Sequence, residues 1–311
     1  MSTEISEYSF TVPEDASLKV KNIRGIVRVE PGEADQIHVH ATKHLDSGNA
    51  EYTVVDVTQD ADGLVMAQVK HKDGVLGFLT SSKPCRVDLA ITVPAKCEVE
   101  IGVVSCEVSV SGIQGGVKLD TVSGDVSLTE LTGNLLLNTV SGDITGQRLS
   151  GNLDLKAVSG DASLSGTSFP SIRANTVSGD LAIETTLGEG PYKFNSVSGD
   201  VILTFPEDVQ ATVKLSSVSG QIRAPKGTVQ KKAKSPGAIQ QTAVFNGGGT
   251  DVKFSSVSGD LRVIGPAAAA QNELENATEV ANTTSRSDIL DQIAQGKLSV
   301  EEGISQLQKA G

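Results

Sequence analysis

Six aspartates recur at one fixed place in a four-residue string, and carboxylates repeated in that manner could hold a row of cations. Asp125, Asp143, Asp161, Asp180, Asp200 and Asp260 each close a Val-Ser-Gly-Asp string, and Gln221 stands where a seventh would be. The gaps between the valines of these strings (Val122, Val140, Val158, Val177, Val197, Val218 and Val257) are 18, 18, 19, 20, 21 and 39 residues. If each string occupies the same corner of successive stacked layers, neighbouring carboxylates lie about 4.8 Å apart, the spacing of hydrogen-bonded strands. Two exposed carboxylates at that distance repel by about 1 kcal/mol in water, so something must offset the charge. One bound Ca2+ per layer would do so, and a Ca2+-binding β-roll is therefore one reading. Calcium takes six or more oxygens, however, and its rolls use Gly-Gly-x-Gly-x-Asp nonamers, a pattern this sequence lacks. The ordinary alternative is that each Asp accepts a backbone N–H in its own Ser-Gly-Asp turn.

The serines of the strings (Ser123, Ser141, Ser159, Ser178, Ser198, Ser219, Ser258) would need a positioned base to act as nucleophiles, and no His follows His71. A stacked column of hydroxyls is the expectation, with no catalytic residue and no cofactor. His38, His40 and His44 share one segment, but a zinc site needs further ligands. Ile37 and Val39 have the inward parity there, so His38 and His40 are expected to face outward. Cys97 and Cys106 lie nine residues apart and, with Cys85, make an odd set of three. They read as buried thiols rather than a disulfide framework, which points to a reducing, cytoplasmic setting.

The elements that position these residues follow from a nine-residue period. Glycines fall at Gly115, Gly124, Gly133, Gly142, Gly151 and Gly160. Number each nonamer from zero, starting at Val99, Val108, Val117, Val126, Leu135, Ile144, Leu153 and Ala162. Positions 0, 2 and 5 are then apolar in 22 of 24 slots, against about nine expected from composition. Positions 0 and 2 are the inward side chains of a short strand, and position 5 turns inward again if a bulge flips the parity. Glycine at position 7 makes the corner, where positive φ is cheap. Alternate nonamers differ: Val-Ser-Gly-Asp alternates with Leu-Thr-Gly-Asn (Leu131 to Asn134) and Leu-Ser-Gly-Asn (Leu149 to Asn152). Like stacks on like in a solenoid, so the coil has two strands and 18 residues, lengthening to about 20 after Ser168.

The chain is thus expected to be all-β, a parallel β-helix or β-solenoid with about 18–20 residues per coil, plus a small C-terminal α-helical hairpin. The solenoid takes residues 1–265, with irregular N-terminal coils and capping hairpins over 10–95, regular repeats over 96–265, and an insertion near 225–248. Residues 266–285, rich in Ala, Asn, Thr and Glu, read as a linker. Residues 286–311 read as the hairpin: Ser287 caps its first helix and Gly296 ends it, and Ser299 to Glu302 forms a capping box for the second. Aromatic residues make up 3% of the chain and Trp is absent, which suits a thin aliphatic core.

Recurrent Thr-Val-Ser-Gly-Asp in coils of this length resembles a bacterial adhesin-like family of β-solenoid domains of unknown function, over roughly residues 15–265. The tail from Ile289 to Glu302 is similar to the short SHOCT-like helical module. The resemblance implies a right-handed parallel β-helix, a link to cell-envelope stress and no established catalytic residue. A net charge of −12 disfavours nucleic-acid binding. No run of 18 apolar residues suggests a transmembrane helix, and the N-terminal MSTEISEYSF does not read as a secretory signal. The expected function is non-catalytic: a structural or interaction protein that meets a protein partner, or assembles with itself, through the C-terminal hairpin. The alternative is a carbohydrate-binding or carbohydrate-active β-helix, which the scarcity of aromatic platforms disfavours.

Overall fold

The computed structural model describes residues 2–13, 15–71, 83–224, 228–235 and 238–264. The expected linker and SHOCT-like helical hairpin lie outside the described residues. Within them the only helical element is a three-residue 3-10 turn, Leu45–Ser47, so the described chain is all-β.

The N-terminal strands are β1 (Thr3–Thr11), β2 (Ser17–Pro31), β3 (Gln36–His44), β4 (Thr53–Gln59), β5 (Val65–His71) and β6 (Arg86–Val93). The regular repeats give β7 (Glu98–Ser111), β8 (Val117–Ser123), β9 (Val126–Thr129), β10 (Leu135–Thr139), β11 (Ile144–Gln147), β12 (Ser150–Ala157) and β13 (Ala162–Ser178). The C-terminal coils give β14 (Leu181–Leu187), β15 (Tyr192–Ser198), β16 (Val201–Thr204), β17 (Ala211–Ser219), β18 (Ile222–Arg223), β19 (Thr228–Ser235), β20 (Ala238–Phe245), β21 (Thr250–Ser258) and β22 (Leu261–Ile264).

All 22 strands form one sheet, which wraps a single aliphatic core in two ladders. The first face runs β4–β5–β2–β7–β8–β10–β12–β13–β15–β21–β17–β20–β19. The second runs β1–β3–β6–β2–β7–β9–β11–β13–β14–β16–β22–β18. Long strands such as β2, β7 and β13 belong to both faces, bending at a corner between them. Residues pair 18 apart in the regular region, Val117 with Leu135 and Leu135 with Leu153, and 20 apart later, Ile172 with Tyr192. The expected two-strand coil and its lengthening are both present.

The parity expected at position 5 holds on the second face and fails on the first. On the second face Ile113, Leu131, Leu149 and Thr167 are buried. Each follows a residue in the left-handed region: Gly112, Glu130, Arg148 and Gly166, with φ of 53–67°. That residue supplies the flip. On the first face the chain stays extended, alternation continues, and position 4 points inward instead. There Val103, Thr121, Thr139, Ala157, Thr176, Ser196 and Ser217 are buried. The valines of the Val-Ser-Gly-Asp strings therefore face solvent, a correction to their assignment to the core.

Stacking order also departs from chain order. Within the 39-residue gap β19 and β20 form an antiparallel hairpin on β17, and β21 with β22 slots between the two preceding coils. The last repeat is thus next to last in space. Hairpins end the first face on both sides, as β4–β5 and β19–β20.

The corners set the tightest contact. A Cβ on Gly142, at φ +120°, would lie 2.4 Å from the carbonyl oxygen of Gly124 one coil below. Gly142→Ala should therefore cost at least about 3 kcal/mol, combining backbone strain with overpacking. Gly247→Ala, with φ +88° but nothing within 4 Å of the new Cβ, should cost only the strain. Denaturant unfolding of the two variants checks the difference; equal losses would contradict corner stacking.

Candidate functional site

The corner between the two faces carries three parallel columns, one from each of positions 4, 5 and 8. The outward valines at position 5 form the first. In spatial order they are Val104, Val122, Val140, Val158, Val177, Val197, Val257 and Val218, placed by the registers of the first face. Each is between 47 and 56% exposed. At about 4.8 Å per step the row is roughly 34 Å long. Beside it runs a groove of about 650 Å³, lined from Gly102, Val103 and Val104 at one end to Asn175, Thr176 and Val177 at the other. Its far rim is polar, with Asp120, Asn138 and Lys156, and Asn138 Nδ2 donates to Asp120 Oδ1 at 2.7 Å.

Under the valines the position-4 column is made of small or β-branched residues, because the chain nears the corner and the core thins. The hydroxyls of Thr139, Thr176 and Ser196 are buried there without a hydrogen-bond partner. Thr at these positions acts as a β-branched filler, at the cost of an unmet hydroxyl.

The aspartate column is explained by backbone hydrogen bonds between coils. The N–H of Asp143 donates to Asp125 Oδ1 at 3.2 Å, that of Asp161 to Asp143 at 3.0 Å, and that of Asp180 to Asp161 at 2.8 Å. The chain of bonds continues through Asp200 and Asp260 and ends with the N–H of Gln221 on Asp260 Oδ1 at 3.0 Å. Each carboxylate thus serves the next layer and not its own turn, which corrects the Asx-turn expectation. Gln221 stands where no further coil needs an acceptor. Among the described residues no cluster of three or more His, Cys, Asp or Glu side chains is arranged to hold a metal ion.

The column has a first member outside the repeated string. Asp88 accepts the N–H of Ile26 through Oδ1 at 3.0 Å, in the place a motif aspartate would take. Its Oδ2 lies 2.7 Å from His44 Nε2, and Arg86 Nε donates to its Oδ1 at 2.9 Å. Partial burial pushes the Asp88 carboxyl up, but the hydrogen bonds from Arg86 and His44 outweigh it and leave it below its ordinary value. Sequence reasoning missed Asp88 because no Val-Ser-Gly precedes it. The histidine segment is not brought together as a site: His38 pairs with Ser9 and His40 with Glu7.

All three cysteines are buried and free. Burial pushes the thiols of Cys97 and Cys106 up to about 12 each. Their backbones occupy corner-glycine places, since the carbonyl oxygens of Cys97 and Cys106 abut Gly115 and Gly124.

A family model described as Toastrack DUF4097 matches residues 17–264. Several solved structures are similar over 84% of the chain. A proposed adhesin from Bacteroides fragilis is 12% identical, is covered over 97% of its length and has a TM-score of 0.45. A proposed adhesin from Parabacteroides distasonis is 14% identical, covered over 97%, with a TM-score of 0.39. A proposed lipid-binding protein from the same species is 10% identical, covered over 96%, with a TM-score of 0.34. No curated protein matches the chain. Among the described residues no helix is long and apolar enough to cross a membrane.

Two expectations follow from this geometry. Asp143→Asn keeps an oxygen for Asp161 N–H and relieves like-charge repulsion, so it should be neutral or slightly stabilising at low salt. Asp143→Ala should lose about 1 kcal/mol. Thermal melts of both, with and without millimolar Ca2+, test this; a calcium-dependent rise in Tm that Asp143→Asn abolishes would restore the β-roll reading. Second, because the folded thiols of Cys97 and Cys106 stay protonated far above neutrality, iodoacetamide at pH 8 should leave both unmodified in the native chain and alkylate both in denaturant. Rapid native labelling at either would contradict their burial.

Proposed function

The chain belongs to the Toastrack DUF4097 family, and from that premise we propose that it is a non-catalytic, adhesin-like interaction protein whose valine corner binds an amphipathic helix, the C-terminal segment of a second copy. One observation carries this reading: eight valines stand outward in one unbroken row beside a groove of about 650 Å³. Contiguous apolar surface of this extent on an otherwise polar protein marks an interaction site.

The spacing of the row favours a helix. An α-helix rises about 5.4 Å per turn, close to the valine step of about 4.8 Å, so one apolar residue per turn can meet successive valines. An extended strand repeats a side only every 6.4–6.8 Å or about that, and slips out of step within two layers. The sequence supplies an apolar pattern suited to such a helix in residues 286–311, with Ile289 and Ile293 four apart and Val300, Ile304 and Leu307 at four- and three-residue steps. An amphipathic helix this short needs a surface to bury its apolar side chains. The polar rim of Asp120, Asn138 and Lys156 can meet the helix flanks.

The non-catalytic half of the reading is supported by how the motif residues are used. The six aspartates are engaged by backbone N–H groups of adjacent coils.

Size-exclusion with light scattering tests the assembly. The full chain should run above monomer mass at micromolar concentration. Val140→Lys, which spoils the row, and Ile293→Asp, which spoils the helix stripe, should each run as monomers. Mixed in equal amounts they should associate again, since one retains the row and the other the helix. A monomeric full chain, or undiminished association of Val140→Lys, would overturn the reading.

A further inference from the structure

A second surface of the first face differs in charge from the rest of the molecule. Along position 1 the side chains point outward, and strand pairing stacks them in the order Lys19, Glu100, Lys118, Leu136, Asp154, Arg173, Lys193, Lys253, Lys214. In the early coils the signs alternate and pair: Lys19 and Lys118 lie 3.0 and 3.1 Å from Glu100. From Arg173 onward four cations follow one another with no acid between them in the column. The two outer members have acidic partners: Arg173 lies 3.7 Å from Asp154, its neighbour in the column, and Lys214 lies 2.8 Å from Asp251 outside it. Lys193 and Lys253, adjacent in register, have no ion-pair partner among the described residues.

Like charges stacked about 4.8 Å apart are avoided elsewhere on this face, and the chain carries a net charge of −12. The row is therefore a local reversal of the protein's field, able to draw a polyanion to one place. Its surroundings offer hydrogen-bonding groups among apolar ones such as Leu136 and Pro191. A groove of about 270 Å³ runs along the coils beneath Arg173 and Lys193, lined also by Asn134, Asn152, Ser171 and Asp154. Asn152 Nδ2 donates to Asn134 Oδ1 at 3.0 Å, and Ser171 Oγ donates to Asn152 Oδ1 at 2.8 Å, so these groups form an ordered polar wall. On the other side of the cations run Asn175, Asn195, Ser255 and Ser216.

We propose that this strip, centred on Lys193 and Lys253, binds a linear anionic polysaccharide carrying carboxylates on successive sugars. The cations take the carboxylates, and the flanking amides and hydroxyls take the sugar hydroxyls. The ligand keeps step with the coils along the solenoid axis. Single-stranded nucleic acid fits less well, because its non-specific sites stack bases on exposed aromatic rings. The aromatic residues of these coils, Tyr192, Phe194 and Phe254, are all buried in the core.

Binding of the full chain to polygalacturonate, dextran and a single-stranded DNA of mixed sequence, followed by fluorescence anisotropy or calorimetry, tests the assignment. The expected result is binding of polygalacturonate that weakens as salt rises, with no binding of dextran and at least tenfold weaker binding of DNA. Lys193→Glu with Lys253→Glu should reduce the polygalacturonate affinity at least tenfold while leaving the melting temperature near that of the parent. Lys70→Glu, on another part of the face, should leave it unchanged. No binding of polygalacturonate at low salt, equal binding of dextran or DNA, or an unaffected double variant would overturn the proposal. Val140→Lys should bind the polymer as the parent does, which separates this surface from the valine corner.

Discussion

Backbone hydrogen bonding between coils forces the chain to repeat itself. Once strands stack about 4.8 Å apart in register, each position of one coil lies against the same position of the next, and every local choice becomes a column. At the corners this constraint is severe. The Gly124–Gly142–Gly160 series leaves no room for a Cβ because each would meet the carbonyl oxygen of the coil below. Small coils have little interior, so the core is a file of Val, Leu and Ile, with larger rings such as Tyr192 and Phe194 entering only where the coil lengthens.

Columns amplify whatever they contain. A row of aspartates would repel itself, and here each carboxylate is matched to an N–H of the neighbouring layer, which turns the charge into part of the stacking. The same rule applied to outward valines gives a long apolar ridge, and applied to Arg173, Lys193, Lys253 and Lys214 gives a cationic one. The valines, and Lys193 and Lys253 at the centre of the cationic ridge, lack an internal partner of the kind the aspartates have. The contrast between columns that are satisfied within the fold and columns that are not is what separates scaffold from candidate surface in this molecule.

The sequence made the period, the two-strand coil and the glycine corners legible, because each depends on a residue type that recurs in every layer. The direction of the motif valines was not legible from apolar spacing, since a valine scores the same whichever way it points. The signal lay one residue earlier. On the second face position 4 holds Gly112, Glu130, Arg148 and Gly166, residues that take a left-handed conformation; on the first it holds Thr121, Thr139 and Thr176, which resist one. Asp88 was hidden because its neighbours belong to β6 and not to a repeat. The place of β21 between β15 and β17 could not be read from order along the chain, because each of these strands carries the same pattern and would stack on any of the others.

The motif valines stand outward as one row in which Val257 lies between Val197 and Val218. Methyl–methyl NOEs in a valine-labelled sample measure it directly. Contacts from Val257 to both Val197 and Val218, with no contact between those two and with all three methyl groups broadened by a soluble paramagnetic agent, are the predicted result. A direct Val197–Val218 contact, or motif valine methyl groups shielded from the agent and in contact with Leu119 or Leu137, would contradict it.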